Sequence, residues 1–541
     1  MKTIIAGALG ECVHVAGVYN FLRLAEQFGW KTIFLGPAVP TEHFLQTARG
    51  EKADVVAVSY RLTPETGERL LAEFAEAADD LRSQGTQFIF GGTPPVAEKA
   101  KKLGFFQAVF DGTQTREEII TFLRGDERTE SGSPIYPQTT IERILWKKPF
   151  PLLRHHFGQP SMNASVEGIK QIAEAKALDV ISLGVDQDAQ ENFFHPGKQN
   201  PRSTGAGGVP VRSPDDYSRL YCASRRGNFP LMRTYSGTND FIRLAEMYRE
   251  TIHICWAAVP LFWFNQMDGR GPFDLEGSIR EHQNLIRWYS EHEVPVELNE
   301  PHHWGMRDAP DVIFVVAAYL SAYTARAYGA HDYIAQMMFN SPPGTSDAMD
   351  LAKMAACLEI CAPLENKHFH IWRQTRTGLL SYPLEDNAAR AHLAASIYVQ
   401  MALKPDIIHI VGHTEAHHAA SADDVIAASR MAQRSIENAL LGQPDLLSDP
   451  AIQHRKEHLI KEANITLQAI RNLNQVATPN PLGEAGILAQ AVKEGILDAP
   501  HLRNNAFAKG EIKTSIRDGA CDVVDESGNP LSEEERLARY L

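Results

Sequence analysis

Cysteine is scarce in this chain and never paired in sequence. Six cysteines are scattered through 541 residues with no CxxC pair. That argues against a disulfide scaffold or a structural zinc site, and suits reduced thiols in a cytoplasm. Positive charge is also short: 53 Lys and Arg against 67 Asp and Glu leave a net charge of −14. An acidic chain without a strongly basic stretch is a poor partner for nucleic acid or an anionic membrane. Long apolar runs are missing; the longest, around Val312 to Tyr319, is too short to span a bilayer. The chain enters a strand pattern at once, without a basic leader region or cleavage site, so a cytoplasmic location is expected. There is no internal repeat and no low-complexity tract.

What is present is alternation. A hydrophobic share of 44% and a charged share of 22% suit a globular chain of two or three domains with large cores. Strand patterns at 2–7, 31–35, 54–58, 87–90 and 107–110 alternate with helical patterns at 18–29, 41–50, 65–84, 94–103 and 115–124. This predicts a doubly wound, Rossmann-like α/β domain over 1–125. The charged, Pro-containing stretch that opens at Asp126 is expected to be a linker, 126–150. Strand-like runs then recur at 152–157, 179–183, 229–233, 252–258, 295–299, 333–339, 367–372 and 406–411. Eight such runs with helices between them predict a (β/α)8 TIM barrel over 151–440. The remainder, 441–541, begins with helices at about 451–474 and ends in a Gly/Asp-rich segment expected to cover the barrel.

The first loop carries the sharpest chemistry. His14 follows the first strand, with Gly17 three residues on. It sits at the carboxyl edge of a parallel sheet, where open α/β sheets bind ligands. A histidine there can ligate a metal while glycine lets the backbone approach a bulky group. Taken alone, H-x-x-G is equally the mark of an ordinary loop histidine. Ser59 follows the third strand, in Val58-Ser59-Tyr60-Arg61, and Gly91-Gly92 the fourth.

Together these residues resemble the cobalamin-binding domain shared by B12-dependent mutases and methionine synthase. The resemblance implies that His14 is the lower cobalt ligand, the only metal ligand assigned. It also implies that the displaced nucleotide tail runs past Ser59, Gly91 and Gly92, with Gly17 and Arg61 beside it. Cys12 stands where the family has the aspartate that orients the imidazole, with Glu11 one residue too early, and Arg61 stands where it has a leucine.

The second half resembles the large barrel subunit of glutamate mutase (methylaspartate mutase). The likeness is carried by Val296-Glu297-Leu298-Asn299-Glu300-Pro301, His370-Ile371-Trp372, Val492-Lys493-Glu494-Gly495-Ile496-Leu497-Asp498-Ala499-Pro500 and Arg517-Asp518-Gly519. It implies an adenosylcobalamin-dependent isomerase, homodimeric, that rearranges the carbon skeleton of a small molecule by radical chemistry. That family grips the two carboxylates of glutamate with three arginines. Here Ser161 and the arginine-free stretch Asp188–Asn192 stand at two of those places, and the third falls near Arg233 or Tyr235. A substrate other than glutamate is therefore expected. The family's adenosyl-facing glutamate matches Glu415, which makes Glu415 a cofactor contact, and its lysine matches Val411.

The catalytic candidates are Arg233, Glu415, His302, His370 and Asp188. Histidines and aromatics gather after the barrel strands: His302, His303 and Trp304; His368, His370 and Trp372; His413, His417 and His418. They suit either the lining of a cavity for a neutral, aromatic or cationic substrate, or a second metal. His368 and His370, two apart on an expected strand, face one side. Asp188 and Glu191 either attract a substrate amine or are solvated loop carboxylates. Trp263 belongs either to the barrel mouth, with Asn265 and Asp268, or to the core. Arg225, Arg226, Arg373 and Arg376 read as surface charges or as contacts to cobalamin's peripheral amides and phosphate. The alternative function is a cobalamin-binding protein without mutase chemistry: a corrinoid carrier, a non-radical B12 enzyme or a sensor.

Overall fold

The computed structural model describes residues 1–126, 134–474 and 478–541. The chain forms two compact units, Met1–Ile135 and Tyr136–Leu541. In the first, β1 (Thr3–Leu9), β2 (Lys31–Val39), β3 (Val55–Tyr60), β4 (Gln87–Gly92) and β5 (Ala108–Phe110) form a parallel sheet in the order β2-β1-β3-β4-β5. Every residue of β1 is buried, as a central strand covered on both faces requires. Phe44, Phe74 and Phe88 pack on one face of the sheet; Leu22, Ala25 and Leu123 pack on the other. The strand order reverses direction between β1 and β3, and a crevice opens there at the carboxyl ends. Gly10, at φ +62°, turns the chain sharply off β1, so the His14 loop starts at that crevice.

The second unit contains β6 (Leu152–Phe157), β7 (Val180–Leu183), β8 (Leu231–Arg233), β9 (Ala257–Val259), β10 (Val296–Leu298), β11 (Asp332–Met338), β12 (His370–Arg376) and β13 (Ile407–Ile410). They pair in parallel, in the order β8-β7-β6-β13-β12-β11-β10-β9, as a nearly closed (β/α)8 TIM barrel. At the seam a backbone hydrogen bond from Cys255 N–H to the Met232 carbonyl, 2.8 Å, spans β8 and the approach to β9.

Two local expectations change. β12 begins at His370 and runs to Arg376, so His368 lies in the preceding turn rather than on a strand. The helix Thr140–Lys147 falls inside the stretch expected to be linker, but Thr140, Arg143, Ile144 and Lys147 are buried. Ile144 joins Leu152, Val180, Leu231, Trp256 and Trp372 in an apolar cluster built from the early residues of the barrel strands. This helix therefore closes the floor of the barrel. Residues 127–133 of the expected linker lie outside the described residues.

The helix Pro450–Asn472 packs on the barrel helices Asp311–Ala327 and Asp347–Cys361. The terminal hairpin, β14 (Thr514–Arg517) and β15 (Ala520–Val523), docks on the segments that follow β10 and β11. Thr514 donates to the Asp308 carbonyl (3.0 Å), and the Gly519 carbonyl accepts from Ser346 N–H (2.9 Å). Among the described residues no helix is long and apolar enough to cross a membrane.

Lys147 on the floor helix forms a fully buried ion pair with Asp179, whose carboxylate also accepts from Leu153 N–H at 2.7 Å. Removing only the cation strands a buried carboxylate. Lys147→Met is expected to cost about 3–5 kcal/mol of stability in urea unfolding. Adding Asp179→Asn should return much of that loss.

Candidate functional site

The crevice of the first unit is a cavity of about 390 Å³. His14, Gly17, Ser59, Arg61, Gly91 and Gly92 all line it, so the six residues singled out on this unit meet at one site. Asp111 and Gln114, from the loop after β5, also line it and were not anticipated. His14 is exposed, and its Nδ1 lies 3.9 Å from the buried Cys12 Sγ. The two glycines of the pair differ in purpose. A Cβ on Gly91 would meet nothing within 4 Å, whereas one on Gly92 would lie 2.6 Å from the Tyr60 carbonyl oxygen. Gly92 lets β3 and β4 approach; Gly91 keeps the cavity open. Ser59 Oγ is buried there without a hydrogen-bond partner. An orphaned hydroxyl beside an open slot is what a ligand with hydrogen-bonding groups would complete.

In the barrel, side chains two apart on successive strands point into the lumen. Arg154 (β6), Arg233 (β8) and Glu297 (β10) meet in one layer. Glu297 Oε2 accepts from Trp256 Nε1 at 2.6 Å and from Arg154 Nη1 at 3.1 Å, and Arg233 Nη1 stands 3.3 Å away. Arg154 also donates to Ser182 Oγ and Gln374 Oε1, both at 2.8 Å. Gln374 donates to Gln336 (2.8 Å), whose amide donates to His302 Nδ1 (3.0 Å). Toward the strand ends lie His156, Tyr235, His409 and Arg376. His156 stacks on Tyr235 at 5.4 Å and contacts His409 at 4.9 Å.

The electrostatics are one-sided. Burial opposes charge on Glu297, but Arg233 and Arg154 outweigh it and its pKa falls below the ordinary carboxylate value. Burial, with Arg233 and Arg376 nearby, pushes Arg154 down to about 9, which leaves it charged at neutral pH. Burial and the same arginines hold His156 and His409 well below the usual imidazole range, so both are neutral. His302 is likewise neutral, through burial and its neighbour His303. Three guanidinium groups thus face one buried carboxylate. Arg376 Nε and Arg233 Nε have no hydrogen-bond partner. Among the described residues no carboxylate forms an ion pair with Arg376.

Residues 2–120 match the family model of the B12 binding domain. The first unit is a B12-binding domain. It is fused to a barrel domain, an arrangement consistent with B12-dependent enzymes in general. No curated protein matches the chain. Among solved structures, a novel cobalamin-binding protein from Desulfitobacterium hafniense DCB-2 is similar at 19% identity, covering 23% of this chain and 58% of that one, with a TM-score of 0.20. This chain thus spans less than two thirds of that protein. A truncated 3-deoxy-D-arabino-heptulosonate 7-phosphate synthase from Thermotoga maritima is similar at 12% identity over 54% of this chain and 89% of that one, with a TM-score of 0.31. Both likenesses are too distant to carry more.

The B12-binding domain contains residues that fit a corrinoid: an exposed loop imidazole, an open slot at Gly91 and an unpartnered Ser59 hydroxyl. In the barrel the candidates separate. Arg233 and His302 belong to the lumen network. Glu415 lines a second cavity of about 460 Å³ at the β6, β7 and β13 ends, with His155, His156, His417 and His418. Asp188 is buried on the short helix Gln187–Glu191 after β7, accepting from Asn200 N–H at 2.9 Å and lying 3.8 Å from Arg212. Both contacts are made by Oδ2, which ties Asp188 to the segment around Asn200.

His370 is a correction. It is the first residue of β12, exposed, with Nδ1 3.2 Å from Glu365 Oε1, at the strand end remote from the mouth. Arg376 is another: it is 6% exposed on the lumen side of β12, not a surface charge. Trp263 is wholly buried, and Asn265 and Asp268 bond within their own turn. Among the described residues no group of three or more His, Cys, Asp or Glu is placed to hold a metal ion. The missed residues had a signal: Arg154-x-His156 and Gln374-x-Arg376 are polar pairs at i, i+2 within their strands, and Glu297-x-Asn299 spans the end of β10.

Two expectations follow. Gly91→Val should leave the melting temperature of the unliganded protein near that of the parent, since its side chain enters open space. It should weaken cobalamin binding roughly tenfold or more, by the cost of overfilling a packed site; equilibrium dialysis measures this. Separately, Glu300, which accepts from Phe262 N–H at 2.9 Å, is pushed by burial up to about 8 from the ordinary 4.5. The native state therefore keeps a proton that the unfolded chain has released, and stability falls as pH rises through that window. Glu300→Gln should flatten this slope and stabilise the protein at about pH 9 by on the order of 3 kcal/mol, read by urea unfolding at both ends of the window.

Proposed function

We propose that the protein is an adenosylcobalamin-dependent carbon-skeleton mutase, an isomerase acting on a small anionic substrate that carries a carboxylate. The observation that carries this reading is the excess of positive charge in the barrel lumen, where Arg154, Arg233 and Arg376 face only Glu297 and, at the rim, Glu415, in the same chain as a B12-binding domain. Desolvating a guanidinium costs several kcal/mol unless an anion repays it, and Glu297 serves only part of the set. A cationic substrate is disfavoured there. This departs from the neutral, aromatic or cationic substrate expected from the histidine clusters, because the relevant arginines lie on the strands and not in the loops.

When bound, the cofactor supplies the radical chemistry. The chain supplies the rest. His14 would offer its imidazole to the cobalt, and Ser59 and Gly91 would hold the cofactor's tail. Arg376 and Arg233 grip the substrate carboxylate through their free N–H groups, a planar pairing that fixes orientation. Arg154 is held by Glu297, Ser182 and Gln374 and keeps the layer rigid. His156, His302 and His409 line the lumen as neutral hydrogen-bonding groups that add no charge. Glu415 at the rim would contact the adenosyl group, the role that the resemblance implies for it.

The test is anaerobic reconstitution with adenosylcobalamin, followed by small carboxylic acids. A substrate-triggered organic radical coupled to cobalt in electron paramagnetic resonance, with isomerised product, is expected. Arg376→Gln should raise KM for that acid roughly 100-fold, the cost of removing one partner of a buried charge pair. Corrinoid binding with no radical and no product from any acid would leave a carrier or sensor; no corrinoid binding at all would overturn the reading.

A further inference from the structure

We propose that Cys12 is the positioning residue for His14, holding the imidazole through Nδ1 so that Nε2 is the nitrogen offered to cobalt. The proposal rests on the reading of His14 as the cobalt ligand. Its basis is the way the loop is pinned. Cys12 N–H donates to the Leu9 carbonyl at 3.2 Å, and the Cys12 carbonyl accepts from Ala38 N–H at 2.9 Å. Both sides of its backbone are therefore tied, one to the end of β1 and one to β2. The side chain is fully buried in the core that also holds Leu9, Val39 and Phe44. Its sulfur thus occupies a fixed point, 3.9 Å from His14 Nδ1.

Glu11 is exposed, and among the described residues it forms no hydrogen bond or ion pair. It does not replace the sulfur. A separate feature marks the same cavity as a ligand site: Ser59 Oγ, on a residue 7% exposed, has no partner.

The nitrogen of a histidine that binds metal is selected by what the other nitrogen bonds. With Nδ1–H donating to Sγ, the lone pair on Nε2 is free. A neutral thiol sulfur is a weak acceptor. It orients the ring without lending it the negative charge that a carboxylate would, so histidine ligation here is looser than with a carboxylate behind it.

The test uses the full chain loaded with adenosylcobalamin, then photolysed to cob(II)alamin. Absorption gives the ratio of histidine-on to histidine-off corrinoid, and electron paramagnetic resonance gives nitrogen coupling to cobalt. Cys12→Ala is expected to lower the ratio roughly tenfold, the low end for loss of a ligand's supporting partner. Cys12→Val, which keeps the core filled but offers no acceptor, should do the same and serves if the alanine variant fails to fold. Cys12→Asp should raise the ratio above the parent's. An unchanged ratio and unchanged nitrogen coupling in both the alanine and valine variants would overturn the proposal. His14→Ala separates the two layers: if it leaves the parent's nitrogen coupling intact, the cobalt-ligand assignment itself has failed.

Discussion

Glu297 is the constraint around which the barrel is organised. It is the one carboxylate in a layer that also contains Arg154 and Arg233; Trp256 Nε1 donates to the same Oε2 that the arginines face, and Oε1 has no hydrogen-bond partner. Without it two guanidinium groups would face each other in a water-poor lumen. With it the layer is rigid, and the hydrogen-bond chain Arg154–Gln374–Gln336–His302 runs from β6 across β12 and β11 to the helix after β10. The balance is incomplete: among the described residues Arg376 has no direct ion pair, and only the fields of Glu415 and Glu297 act on it. The charge that makes the layer costly when empty is the charge that would recognise an anion.

The B12-binding domain works by the opposite economy. Its site is made of things left out. Gly91 leaves space, Gly92 removes a clash, and Ser59 leaves a hydroxyl unsatisfied. His14 projects the one imidazole of that lining, from a loop whose backbone is pinned at Cys12. A single imidazole can serve a corrinoid because the macrocycle brings the other cobalt ligands itself.

Much of this was legible beforehand, and unevenly so. All five strands of the first sheet and all eight of the barrel are visible as apolar runs between helical periodicities, because both sheets are parallel and their central strands are buried on both faces. The six cavity residues of the first unit were legible because they sit in loops directly after strands, where chain order alone locates them. The barrel site was not. His370 looked functional from its neighbours His368 and Trp372, yet a shift of strand start puts it at the floor end. Arg376 was grouped with Arg373 as a surface charge or a cofactor contact, yet residues three apart on a strand point to opposite faces, and Arg376 takes the lumen side. Asp188 looked free but is held by a loop that folds back twelve residues later.

What the amino-acid order determined by itself was the alternation, hence two α/β domains, and the loop that presents His14 beside its glycines. These are short-range properties, set by periodicity and by residues a few positions apart. What only the tertiary structure decided was which polar strand residues share a lumen. Arg154 and Glu297 are 143 positions apart, and Arg154 and Gln374 are 220 apart. Period two tells which face a side chain takes. Only closure of the barrel tells which distant side chains meet there, because register and strand order bring them together.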